Sequence, residues 1–107
     1  MKPNLCLGTA QFGMQYGVTN KKNRFNSDDV NFILKYATYK SIKLLDTAQN
    51  YGNAEELIGL SSLSNKFKII SKISFPKSRL SYLKLKENLE TNIHKTLDNL
   101  NIESLEG

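Results

Sequence analysis

Three short apolar runs, residues 5–10, 43–48 and 67–73, are each followed by a stretch with helical spacing, and this alternation leaves few folds open. Strand then amphipathic helix, repeated, gives parallel strands, because a parallel neighbour needs a crossover rather than a hairpin. Each return has the length expected of a right-handed crossover. Residues 5–10 read as a short buried strand that runs into Gly8, Thr9 and Ala10. Residues 11–26 are polar, contain Gly13 and Gly17, and read as a long loop over one end of the fold. Ser27 followed by Asp28 and Asp29 is a helix start, a hydroxyl cap with two carboxylates at the positive end of the helix dipole. Val30, Ile33, Leu34 and Ala37 keep helical spacing and predict a helix over 28–40. Glu55 and Glu56 open a second helix over 54–63, with Leu57, Ile58, Leu60 and Leu63 on its buried side and Asn65 beyond its end. After a loop at 74–81, Leu85, Leu89, Ile93, Leu97 and Leu100 mark a third helix over 82–100. Residues 102–105 begin a fourth strand. The fold class is α/β with parallel strands, whose first strand and fourth stub are unpaired edges that allow self-association.

A chain of 107 residues is one small domain or a piece of a larger one. Its 39% apolar content fits a soluble globular fold. No apolar run approaches the roughly 18 residues needed to cross a bilayer. The N-terminal run meets Gly8 before a signal-peptide core could form, so a cytoplasmic protein with no membrane partner is expected. Cys6, the single cysteine, lies in the first apolar run and reads as a buried structural thiol, with no histidine placed to activate it. A net charge of +5 invites a nucleic-acid partner. The lysines are spread along the chain, though, with only a loose concentration over 66–86 and no basic helix face interleaved with aromatics. A solvated lysine-rich surface is the better reading, and neither nucleic acid nor a metal is expected to bind.

The chemistry concentrates in Leu44-Leu45-Asp46-Thr47-Ala48-Gln49-Asn50-Tyr51-Gly52. Asp46 falls near the carboxyl end of the second strand and Tyr51 in the loop above it, on the rim where parallel α/β proteins bind ligands. A free tyrosine hydroxyl has a pKa of about 10, too high to donate readily at neutral pH. A nearby cation and carboxylate would change that, and Lys72 near the end of the third apolar run can supply the cation. Plainer readings stand beside these: Asp46 as a turn carboxylate, Tyr51 as a half-buried loop aromatic, Gly8 as a tight turn. Lys72 could equally point to solvent, since Lys68 shares its face in a strict alternation.

At these residues the sequence resembles the aldo-keto reductases. The matching pieces are Leu7-Gly8-Thr9-Ala10-Gln11-Phe12-Gly13, Asp46-Thr47-Ala48-Gln49-Asn50-Tyr51-Gly52-Asn53-Ala54-Glu55, Lys72, and the helix Ile93-His94-Lys95-Thr96-Leu97-Asp98-Asn99-Leu100. The resemblance implies the N-terminal half of an eight-stranded (β/α) TIM barrel, about three βα units plus the start of strand four, with residues 1–107 as one truncated domain. It also implies NADP(H) as cofactor and a small carbonyl compound as substrate. In that scheme Tyr51 is the general acid, Lys72 the cation that favours its phenolate, and Asp46 the carboxylate that pairs with Lys72. Gly8, Thr9, Ala10 and Asp46 fall at cofactor-binding positions. The family histidine that ends strand four lies beyond Gly107, and His94, in mid-helix, is expected to be solvent-exposed rather than a substitute.

Three readings follow. The first is an NADP-dependent carbonyl reductase of which this is the amino-terminal half, and it is preferred for an intact parent. The second is a catalytically inactive truncated remnant, preferred for this chain by itself, whose cofactor binding is in doubt. The third is a small basic module that binds anions or nucleic acid.

Overall fold

In the structure, a computed structural model, residues 4–14 and 25–107 are described. Strands β1 (Cys6–Gly8), β2 (Leu44–Asp46) and β3 (Lys68–Ile70) lie side by side in chain order, all parallel. Their register sets Cys6, Leu44 and Lys68 in one row, Leu7, Leu45 and Ile69 in the next, and Gly8, Asp46 and Ile70 in the last. Side chains alternate along a strand, so each row faces opposite to its neighbours. The middle row packs on the helices, with Leu45 and Ile69 fully buried. The outer two rows share the other face, and none of their residues is buried.

That alternation corrects the expectation for Cys6. Its thiol was expected inside the core, yet Cys6 is exposed, because it shares a face with Gly8 rather than with Leu7. An apolar run fixes that a strand is buried, but not which of its residues face the covered side.

The helices keep the expected order with shifted ends. Helix α2 (Ser27–Tyr39) is capped by Asn26 rather than Ser27. The Asp29 amide donates to Asn26 Oδ1 at 2.9 Å, and the Asn26 amide donates back to Asp29 Oδ2 at 3.0 Å. This reciprocal box satisfies two donors that a helix start leaves orphaned. Helix α3 (Ala54–Leu60) stops short of Leu63, and a 3₁₀ turn at Ser64–Lys66 carries the chain into β3. Helix α4 (Tyr82–Leu100) starts behind Ser81 and ends on Asn101, whose φ of 54° is a left-handed C-cap. Within α4 only Thr96 and Leu100 are buried, and Ile93 is 40% exposed, so the apolar stripe covers the core with its C-terminal end. The segment read as a long loop begins with a four-residue helix, α1 (Ala10–Gly13), and residues 15–24 of that reading lie outside the described residues.

The core joins Phe12, Val30, Leu34, Leu45, Ile58 and Leu100 around the helix-facing side of the sheet. At the β3 edge the Glu106 amide donates to Ile69 O at 2.8 Å and the Ser71 amide to Gly107 O at 3.0 Å. These two bonds tie residues 106–107 to the β3 edge, but the sheet has three strands and the fourth strand expected over 102–105 is not formed.

Two positions carry opposite expectations for stability. At Gly59 the α3 backbone lies against α4, and an added Cβ would run into the Asn99 carbonyl. Gly59→Ala should lower the unfolding free energy by roughly 1–3 kcal/mol in urea titrations, despite the better helix propensity of alanine. Thr47 is fully buried, and among the described residues its hydroxyl has no hydrogen-bond partner. Thr47→Val keeps the shape and removes the unpaired group, so the same titration should show a gain of about 1 kcal/mol.

Candidate active site at the carboxyl ends of the strands

Asp46 is the last residue of β2, and the register sets it beside Gly8 of β1. Lys72 lies two residues beyond β3, and Tyr51 sits in the turn between β2 and α3. The chain brings all three together through one ammonium. Lys72 Nζ donates to an Asp46 carboxylate oxygen, to the Thr47 carbonyl at 3.0 Å and to Tyr51 Oη at 3.3 Å. The same nitrogen lies 5.1 Å from the centre of the Tyr51 ring. An ammonium has three donors, and each has an acceptor here.

The electrostatics follow from that geometry. Partial burial pulls the Lys72 pKa down, but hydrogen bonds to Asp46 and Tyr51 outweigh it, so the ammonium is held above the usual lysine value. Side-chain exposures of 50% for Lys72 and 40% for Asp46 leave the ion pair screened by water. Its contribution is the placement of charge rather than stability. Lys68, which alternation allowed as a rival, instead lies 4.0 Å from Glu106 at the surface. Cys6, one row below on the same face, feels the cluster: loss of hydration and the Asp46 charge push its thiol up, and Lys72 partly offsets them.

Backbone contacts hold the Tyr51 turn. Gly52 has φ of +58°, and Gly13 at the end of α1 packs so closely on the Tyr51 carbonyl and the Asn53 and Ala54 amides that neither glycine has room for a Cβ. The Tyr51 amide donates to Ala48 O at 3.2 Å and the Ala54 amide to Tyr51 O at 3.1 Å. The Gln49 amide donates to Lys72 O at 3.0 Å, linking the turn directly to the segment that carries the lysine.

The remaining candidates divide by face. Gly8 looks onto open space: among the described residues, its chain neighbours aside, no atom comes within 4 Å of where a Cβ would stand. Thr9 is fully buried, its hydroxyl donating to Asp46 O at 3.0 Å, and Ala10 starts α1. His94 is exposed on α4, as expected. Sequence reasoning took Glu55 for a first-turn helix carboxylate, yet it is 3% exposed and accepts hydrogen bonds from three side chains. A signal was present: Glu55 stands three residues before Ile58, on the helix side that Ile58 buries.

A parallel sheet with helices on one face and a polar cluster at its carboxyl rim is a partial (β/α) barrel. The sequence profile of the aldo/keto reductase family matches residues 4–106, and the chain belongs to that family. Two solved structures from Pseudomonas aeruginosa, both assigned as aldo-keto reductases, superpose on it. One has 26% identity and a TM-score of 0.70 over 94% of this chain, and the other 23% identity and a TM-score of 0.71 over 94%. The chain spans 39% and 38% of their respective lengths. No curated protein matches the sequence. Among the described residues no helix is long and apolar enough to cross a membrane.

Because Cys6 is the sole cysteine, it reports on the cluster's charge. Removing the carboxylate in Asp46→Asn should lower the thiol pKa and speed alkylation by iodoacetamide at neutral pH, since thiolate is the nucleophile. Removing the cation in Lys72→Met should slow it. Equal rates in all three proteins, read by mass spectrometry, would show that Cys6 does not sense these charges.

Proposed function

We propose that this chain carries the proton-donating part of an NADP(H)-dependent carbonyl reductase, with Tyr51 as general acid. The observation that supports this most directly is the single Lys72 ammonium shared between the Asp46 carboxylate and the Tyr51 oxygen at the strand ends. Lys72 donates to Tyr51 Oη, so a lone pair of the phenol is occupied while its proton stays available to a substrate. As that proton leaves, the ammonium faces a forming phenolate, a charge-assisted bond that is stronger than the one it replaces. Asp46 keeps the ammonium in place and charged. Bound NADPH would supply the hydride for the carbonyl carbon, and Tyr51 would give its proton to the carbonyl oxygen. The phenolate then regains a proton from solvent at the open rim.

The residues present fit the reacting end of such a cofactor. The open space over Gly8 adjoins Asp46 in register, so a flat ring could lie beside the cluster without meeting a side chain of the described residues. Gly8, Ala10 and the Thr9 backbone would border it, and Asp46 would reach its ribose. The family places most contacts to the nucleotide phosphates and adenine, and the histidine that completes the tetrad, on later strands. In this reading the substrate is a small carbonyl compound and the protein works in the cytoplasm, while residues 1–107 by themselves are expected to be catalytically silent.

Fluorescence titration should show no micromolar NADPH binding to the 107-residue chain alone. Fused to the C-terminal part of the 26%-identical Pseudomonas aeruginosa relative, it should reduce a simple aromatic aldehyde. Tyr51→Phe in that fusion should abolish turnover, raising the barrier by several kcal/mol, with NADPH affinity nearly unchanged. Equal turnover with and without the phenol would remove Tyr51 as the acid.

A further inference from the structure

Behind the cluster lies a second polar assembly, buried between the sheet and helices α3 and α4. Ser71 Oγ donates to Glu55 Oε1 at 2.7 Å, Thr96 Oγ1 to the same oxygen at 3.0 Å, and Asn99 Nδ2 to Glu55 Oε2 at 3.2 Å. Gln49 Nε2 donates to Thr96 Oγ1 at 2.8 Å and to the Asn92 carbonyl at 2.6 Å. Glu55 and Thr96 are 3% and 1% exposed. Burying a carboxylate whose donors among the described residues are hydroxyls and an amide is costly, and a simple apolar contact would pack α3 on α4 without that cost.

The members of the assembly are distributed tellingly. Ser71 immediately precedes Lys72 in the chain. Gln49 lies in the turn that carries Tyr51, three residues beyond Asp46. Its amide bonds the Lys72 carbonyl while its side chain enters the assembly. The two segments that must hold the ammonium against the phenol are thus tied to each other twice, once through the backbone and once through Thr96 and Glu55.

We propose that Glu55, Thr96, Ser71 and Gln49 act as positioning residues that fix the distance between the Lys72 and Tyr51 segments. This rests on the reading of those two residues as a functional pair, but it is a statement about geometry that can be tested without cofactor or turnover. The clamp works because each hydroxyl is used in both directions: Thr96 accepts from Gln49 and donates to Glu55. Loss of that one hydroxyl therefore disconnects the turn from the carboxylate, whereas serine in its place preserves both bonds.

Amide hydrogen exchange on the 107-residue chain reads the clamp locally. Thr96→Val and Ser71→Ala should each raise the exchange rate of the Gln49 amide by about tenfold. The Thr9 and Thr47 amides, bonded to Asp46 O and Ile70 O in the sheet, should stay protected. The nuclear Overhauser contact between the Lys72 ε-methylene and the Tyr51 ring should weaken in both variants, and Thr96→Ser should behave as wild type. An unchanged Gln49 rate would overturn the proposal, as would parallel acceleration of all three amides or a Thr96→Ser variant as loose as Thr96→Val. If Thr96→Val fails to fold, the Ser71→Ala comparison decides by the same criteria. A failed fusion assay with an intact clamp would count against the catalytic reading alone.

Discussion

One nitrogen atom organises the rim of this sheet. Lys72 Nζ can serve the Asp46 carboxylate, the Thr47 carbonyl and the Tyr51 phenol together only if β2 and β3 are in a fixed register and the turn after β2 folds back over both. A one-residue slip of β2 would move Asp46 to the helix-facing side, where a carboxylate would lose its water and gain no cation. The apolar row of Leu7, Leu45 and Ile69 prevents that slip, because it can satisfy the core in one register only. Core packing and site geometry are thus the same constraint seen from two faces of the sheet.

Much of this was legible before any coordinates. Strand and helix alternate strongly enough to fix the parallel class, and helix α4 has the bounds that its apolar steps predict. Asp46, Tyr51 and Lys72 could be singled out because strand ends in such sheets are where polar side chains converge. Other features were hidden for physical reasons. Cys6 and Leu7 are both apolar, so composition does not distinguish the residue facing the helices from the one facing away. Asn26 and Ser27 are both good caps, and the choice fell on the residue three before Asp29, whose side chain could return the hydrogen bond. The buried Glu55 carboxylate was hardest to see, because its donors come from Ser71, Thr96 and Asn99, far away in the chain.

The polar groups of the molecule fall into two environments with different tasks. On the open face, Asp46 and Lys72 keep contact with water, which lets their charges persist at little cost and leaves them available to a ligand. Between the sheet and helices, Glu55 and Thr96 are almost dry, and there a satisfied hydrogen bond rigidifies its surroundings. The separation runs through Ser71 and Lys72, adjacent residues that point to opposite sides. A charged surface open to water is therefore backed directly by one that is closed to it.

The close seating of Gly13 against the Gly52 turn has an implication for how the rim beside Tyr51 can be altered. Because main-chain atoms, not side chains, anchor that bend, the outward-pointing Asn50 and Asn53 contribute little to holding the phenol in place. They form a decorative rim on a fixed frame, where bulk, charge or polarity can be exchanged while the aromatic ring keeps its address.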